Sequence, residues 1–295
     1  MHVLLIYNPS AGDDGVDPDE LVSLLEAEQH SVEAHSTKDE SWESALRRGP
    51  DIVAVAGGDG AVGKVFKRLG GSGVTATLLP VGSANNIARS LGFRHDDPAR
   101  LVRGWPQAER RPFEIGALGG SRDETSFVES AGGGIFGETL VRAERVKDEP
   151  GGDAKVELGL KLLRTVVEEV PALEWGLEAD GTDLSGEFVA VEVMNVRELG
   201  PNVPLAPEAD PGDGLLELAL LRPDDRQALD AHLEARLEER PPAPLAFEVR
   251  RARRIMLRPP QGHPLHVDDD VVADDAGTDA LVATVSTRLE VLVPP

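Results

Sequence analysis

The sequence predicts an α/β protein: a parallel, doubly wound sheet in the first part of the chain, followed by a mostly antiparallel, β-sandwich-like second domain. Three observations predict this. Short apolar runs alternate with helical periodicity up to about residue 112, which is the pattern of βαβ units. Three of those runs end in glycine-rich turns. From residue 112 to about 285, short strand-like segments separated by turn residues dominate.

The elements follow in order. Val3–Tyr7 reads as the first strand, ended by Asn8-Pro9-Ser10-Ala11-Gly12. Residues 18–29 read as a helix with Pro18 at its start, where a missing N–H costs nothing. Ser31–Ser36 alternates as a strand, and Ser41–Arg48 is helical. Ile52–Ala56 is a wholly apolar run, as expected of a strand buried on both faces, and it ends in Gly57-Gly58-Asp59-Gly60. A helix over 61–69, a strand over 74–79, the turn Pro80–Asn86 and a helix over 87–91 complete the first part. Strands are expected at 112–117, 125–132, 172–179, 187–194, 214–221, 245–251, 254–257, 264–267 and 281–285. Helices are expected at about 137–147, 155–169 and 224–238. The division is then 1–118 and 119–286, with a last strand, 288–293, returning to the first domain.

Composition narrows the function. No cysteine is present among 295 residues, which removes disulfides, thiolate metal sites and cysteine nucleophiles, and fits a cytoplasmic protein. No signal peptide and no apolar run of about 18 residues is found, so membrane contact is expected only at the periphery. The net charge of −23, from 53 acids against 30 bases, disfavours nucleic-acid binding, which needs clustered cations. Lysine is scarce beside arginine, a balance also expected of a high-salt cytoplasm. The cluster Arg250, Arg251, Arg253 and Arg254 reads as a solvated strand face pairing with the surplus acid, with a membrane-facing role as the weaker alternative.

The glycine turns carry the chemistry. At the carboxyl ends of neighbouring parallel strands they would line one crevice, with backbone N–H groups turned toward an anion. Asp59 cannot meet a phosphate directly. It needs a divalent cation between them, or a hydrogen-bond donor of its own. Neither a P-loop nor a Gly-x-Gly-x-x-Gly fingerprint is present. Asp268-Asp269-Asp270 reads either as a solvated acidic turn or as a site, and Asp213 in Gly212-Asp213-Gly214 either as an ordinary turn or as a ligand. Asn85 and Asn86 read as helix-capping residues, nucleotide ligands or both. His266, beside Asp268, is a minor candidate base.

Taken together, these segments resemble the diacylglycerol kinase catalytic-domain family, which includes bacterial lipid kinases and sphingosine kinases and shares an NAD kinase-like fold. The resemblance rests on Asn8–Gly12, Gly57–Ala61 and Leu79–Arg89. It continues through Ala131–Phe136, Ala206–Leu216 and His266–Asp270, in family order. It implies an ATP-dependent kinase acting on the hydroxyl of a diacylglycerol- or sphingosine-like lipid, with ATP in the cleft between the domains. Asn8, Gly57, Gly58, Asp59, Gly60, Gly82, Ser83 and Asn85 would hold ATP, and Asp59 would place Mg²⁺. Asp268 would take the hydroxyl proton, Asp270 matches the family's following Glu, and Asp213 matches a structural Mg²⁺ ligand. The expected partners are a lipid alcohol, a membrane touched transiently and a second copy of the chain. The sequence departs from the family pattern at Ala61, where Thr is usual, at Ser83 for Thr, and at Asp269-Asp270 for Gly-Glu. A kinase of a soluble alcohol and a non-catalytic nucleotide-binding module are the alternatives.

Overall fold

A computed structural model of the chain describes residues 1–12, 15–39, 41–93, 97–120, 124–146, 151–272 and 280–295. The chain forms two compact units: Met1–Glu114 with Gly151–Asp153 and Thr287–Pro295, and Ile115–Pro150 with Ala154–Ser286.

The first unit is built on a parallel sheet, as expected. Its strands lie in the order Ser31–Ser36, His2–Tyr7, Ile52–Gly57 and Thr75–Pro80. Residues 290–292 then pair in parallel with 75–77. The apolar runs Ile52–Gly57 and Thr75–Pro80 are buried at every position, which their place inside the sheet requires. Register matters here: Tyr7 pairs with Ser36 and Ala56, and Gly57 with Pro80, so the loops after these strands leave from one edge. Helix Asp59–Leu69 buries Val62, Val65, Phe66 and Leu69, an i, i+3, i+4, i+7 stripe. A helix at Pro98–Gly104 was not expected. Its start is nonetheless marked, because Asp97 caps the Ala99 N–H at 2.9 Å and Pro98 follows.

The second unit holds two antiparallel sheets. One runs Glu248–Ala252, Leu216–Leu221, Ala190–Met194, Ser130–Gly134, Leu265–Val267 and Asp270–Val272, every neighbour antiparallel. The other contains Gly186–Phe188, Leu173–Ala179, Arg254–Arg258 and the 281–284 segment. Alternate residues of both sheets share one core: Val191, Val193, Leu216, Leu218 and Leu220 from the first, Trp175, Leu177, Ile255 and Leu257 from the second. The sandwich-like reading therefore holds.

Several boundaries differ from expectation. Segments 281–285 and 288–293 form one strand, Leu281–Val293, since Ser286 and Thr287 are compatible with a strand and break nothing. The expected strand 125–132 is instead Thr125–Phe127 and Ser130–Gly134, interrupted where backbone N–H groups turn to a side chain described below. The helix expected at 137–147 is Ile135–Ala143, and Lys147 lies outside the described residues.

Candidate functional site

In the first unit the glycine loops pack on one another. A Cβ added at Gly82 would lie 2.2 Å from the Gly58 Cα, so these backbones touch because neither residue has a side chain. At Gly57 a Cβ would lie 2.7 Å from the methyl of Ala61 and 3.4 Å from Asn8 Cβ. Ala61, where the family pattern has a hydroxyl, is thus buried against this turn. The Asn8 N–H donates to Ala56 at 2.8 Å, and the Asn8 side chain accepts from the Ser10 N–H at 3.1 Å, which curls the first loop.

Asp59 joins two of these loops. Its carboxylate accepts the Asn86 N–H at 3.0 Å and the Ile87 N–H at 2.9 Å, capping helix Asn86–Leu91 from another part of the chain. Burial pushes its carboxyl above the ordinary range, and the backbone N–H groups of Ile87 and Asn86 oppose that. The cap expected from Asn85 is absent. Asn85 sits in left-handed backbone at φ 54°, and its side chain makes no capping bond. Its Oδ1 accepts from Gly82 N–H at 3.1 Å, and its Nδ2 donates to the Gly82 carbonyl at 2.7 Å, so it shapes the loop itself. Ser83 is half-buried and Gly60 exposed on the same loops.

The sequence reading missed one cation here. Lys38 follows the second strand, and its Nζ donates to Ser10 Oγ at 3.0 Å in the first glycine loop. The available signal was a lysine just past a strand that ends at this same edge.

In the second unit Asp268 is buried and lies in left-handed backbone at φ 53°. The positive φ falls on Asp268 and not on Asp269, which stands where the family pattern has Gly. Its carboxylate accepts N–H groups from Val128 at 3.0 Å, Glu129 at 2.8 Å and Ser130 at 3.3 Å. These are the donors that interrupt the 125–132 strand. The solvated-turn reading fails for Asp268, which is buried, whereas Asp269 and Asp270 are exposed.

His266 is buried, and its Nδ1 faces the Asp268 carbonyl at 2.9 Å. Since a carbonyl only accepts, Nδ1 carries the proton. Nε2 lies 2.9 Å from Glu192 Oε2. Burial is the largest single influence and lowers the imidazole, but the charge and hydrogen bond of Glu192, with Asp268 adding to them, together raise it. Burial likewise raises Glu192, with His266 opposing. One proton is held between the two. The sequence reading did not single out Glu192.

Asp213 stands apart from these groups. Its carboxylate accepts the Leu215 N–H at 3.0 Å and pairs with Arg251. Arg251 Nε lies 3.3 Å from the buried Glu217. Arg250 pairs with Glu248, and Arg254 lies 3.9 Å from Glu178, so the arginine cluster is largely matched by acids, as its solvated reading expected. Among the described residues no group of three or more His, Asp or Glu side chains is disposed to hold a metal. The fit for Mg²⁺ is therefore poor at Asp213, whose carboxylate already has a guanidinium. It is better at Asp59, because Mg²⁺ takes one or two carboxylates and completes its shell with phosphate and water.

Between the sheets of the second unit runs an apolar crevice lined by Leu118, Trp175, Leu257, Leu265 and Leu281, and reaching His266. It is too narrow to admit a water-sized sphere. Among the described residues the Trp175 indole N–H has no hydrogen-bond partner. Among the described residues no helix is long and apolar enough to cross a membrane.

Comparison with known proteins bears out the resemblance. Residues 2–118 match the diacylglycerol kinase catalytic domain. A Pseudomonas aeruginosa protein named "Probable lipid kinase YegS-like" is 33% identical over 182 residues, 61% of this chain and 57% of that protein. A "Diacylglycerol kinase" of Bacillus subtilis is 27% identical over 229 residues, 74% of this chain and 73% of the relative. The crystal structure of a diacylglycerol kinase from Bacillus anthracis str. Sterne superposes with a TM-score of 0.71 at 18% identity, covering 100% of this chain and 97% of that one. That likeness establishes the fold. The alignments span little more than half the length of the Pseudomonas relatives.

Proposed function

We propose, from the premise that residues 2–118 belong to the diacylglycerol kinase catalytic-domain family, that this chain transfers the terminal phosphoryl group of ATP to the hydroxyl of a diacylglycerol- or sphingosine-like lipid. The likeness to relatives named lipid kinase and diacylglycerol kinase supports the lipid part of this reading.

The nucleotide belongs to the first unit. Asn8, Gly57, Gly58, Gly60, Gly82 and Ser83 offer backbone that a polyphosphate can approach closely, and Asn85 keeps the third loop in shape. Lys38 supplies a positive charge beside the first loop. Asp59 holds two loops together and is the residue that would hold Mg²⁺, an ion that would neutralise charge on the phosphoryl group.

On the acceptor side, Asp268 has its carboxylate engaged by three backbone N–H groups, so it fixes the hairpin. Asp270, exposed on the same hairpin, has a carboxylate open to the hydroxyl proton as the oxygen–phosphorus bond forms and ADP leaves. The lipid is met at a membrane surface only transiently, since the arginine cluster is matched by acids and the chain is strongly anionic.

The test is transfer of radiolabel from γ-labelled ATP to diacylglycerol, sphingosine and soluble alcohols, with Asp270→Asn as control. Label extracted into the lipid phase, lost in the variant, supports the proposal. Label only on a soluble alcohol assigns the chain to a kinase of soluble acceptors. Nucleotide binding without transfer to any alcohol assigns it to the nucleotide-binding modules.

A further inference from the structure

A buried, net-neutral pair beside the acceptor hairpin is not used by the reaction as described. Glu192, Gly132 and His266 lie on three adjacent strands in direct register: Glu192 opposite Gly132, and Gly132 opposite His266. Directly opposed residues share a face of the sheet. Only because the middle residue is glycine can the two outer side chains meet, since a Cβ there would lie 2.4 Å from Glu192 Oε2. Glu192 and His266 are both buried.

We infer that Glu192 and His266 are positioning residues for the acceptor hairpin, a role that rests on the kinase reading above. Glu192 fixes the tautomer and the rotation of His266. The His266 Nδ1–H then holds the Asp268 carbonyl at 2.9 Å. Asp268 is in the left-handed region, which costs a non-glycine residue free energy and persists only when its surroundings enforce it. Three contacts enforce it: the imidazole on its carbonyl, the Ser130 carbonyl accepting its N–H at 2.8 Å, and the Val128–Ser130 N–H groups on its carboxylate. The hairpin thereby presents Asp270 in one orientation. Neither Glu192 nor His266 touches substrate in this scheme.

Removing one partner alone leaves the other buried and unpaired, so a single apolar variant confounds folding with function. The double variant Glu192→Leu/His266→Leu replaces both with apolar groups and is the appropriate probe. Glu192→Gln is the conservative counterpart, because the Gln amide donates to Nε2 and keeps Nδ1 protonated. Two readouts are needed. The first is hydrogen exchange at the Val128, Glu129 and Ser130 N–H groups, with Val191 and Val193 as references. The second is kcat for the lipid beside KM for ATP.

In the double variant, exchange at the first three amides is expected to rise at least about tenfold over the reference amides. The kcat is expected to fall at least about tenfold with KM for ATP unchanged, and Glu192→Gln to stay near wild type in both. A folded double variant with unchanged exchange, or with unchanged kcat, overturns the inference. If the wild-type protein phosphorylates no alcohol, the kinase reading fails by itself, and amide exchange alone decides whether the pair holds the hairpin.

Discussion

Glu192 and His266 approach to 2.9 Å across the backbone of Gly132, which lies opposite both of them in the sheet. The absence of a side chain at Gly132 is the condition for that contact. In Gly132→Ala the new methyl would lie 2.1 Å from the Val191 carbonyl and 2.4 Å from Glu192 Oε2. A carboxylate can rotate away, but a carbonyl in a ladder cannot without breaking a hydrogen bond. We expect a loss of about 2–4 kcal/mol, or failure to fold. Urea unfolding measures it, and a loss under about 1 kcal/mol would show that the strands give way freely.

Asp59 makes a separable prediction. Asp59→Ala strips the cap from the Asn86 and Ile87 N–H groups, and helix-cap deletions cost about 0.5–2 kcal/mol. Asp59→Asn keeps one acceptor oxygen and should cost less. Both variants remove the charge proposed to face Mg²⁺. Both are therefore expected to lose the Mg²⁺-dependent part of ATP affinity equally, while differing in thermal stability. Titration calorimetry with and without Mg²⁺, beside melting curves, checks this. Equal melting temperatures for Asp59→Ala and wild type would mean the cap contributes nothing.

The sheet of the first unit and its glycine loops were legible in the sequence because their signals are local: apolar runs of strand length ended by glycine. What each polar side chain does there was not, because the partners are remote. Asp268 reads as a candidate base or a surface turn until its donors, up to 140 residues away, are seen. His266 and Glu192 are 74 residues apart, and nothing in the pattern of either strand marks the contact. Asn85 looked like a cap by residue type, yet the cap comes from Asp59. The split of segment 125–132 was invisible for the same reason: the residues are good strand formers, and a distant carboxylate draws off their N–H groups.

Glu217 gives the clearest pH dependence. Burial pushes its carboxyl up to about 7, Asp213 adds to this, and Arg251 opposes it. A carboxyl raised on folding contributes stability that is fully present below its unfolded value of 4.5 and is lost as pH rises through 7. Between pH 5 and pH 8 the wild type should therefore lose of order 2 kcal/mol more than Glu217→Gln. Denaturation at a series of pH values reads the difference. Parallel profiles would show that Glu217 is ionised throughout.

Arg251 carries a prediction about metal. Its guanidinium pairs with Asp213 and lies 3.3 Å from Glu217, so positive charge is already supplied at this loop. Chelation of divalent cations is expected to leave the melting temperature of the nucleotide-free protein unchanged. Arg251→Ala should lower it, because two acids then face each other without a cation. A chelator-induced drop in the wild type would restore Asp213 as a metal ligand.

The contact between Gly58 and Gly82 sets a graded test of the proposed nucleotide site. A methyl at Gly82 would lie 2.2 Å from Gly58 Cα, 2.7 Å from Gly58 N and 2.9 Å from Asn85 Oδ1. The first two are backbone atoms and cannot swing aside. At Gly58 the nearest atom to a new methyl is Gly82 Cα at 3.2 Å, which a small shift accommodates. Gly82→Ala is thus expected to weaken ATP binding at least about tenfold, a loss of about 1.4 kcal/mol or more, and Gly58→Ala clearly less. Calorimetric titration of both variants ranks them. The reverse order, or ATP affinity unchanged in a folded Gly82→Ala protein, would mean that the nucleotide does not rest on these two loops.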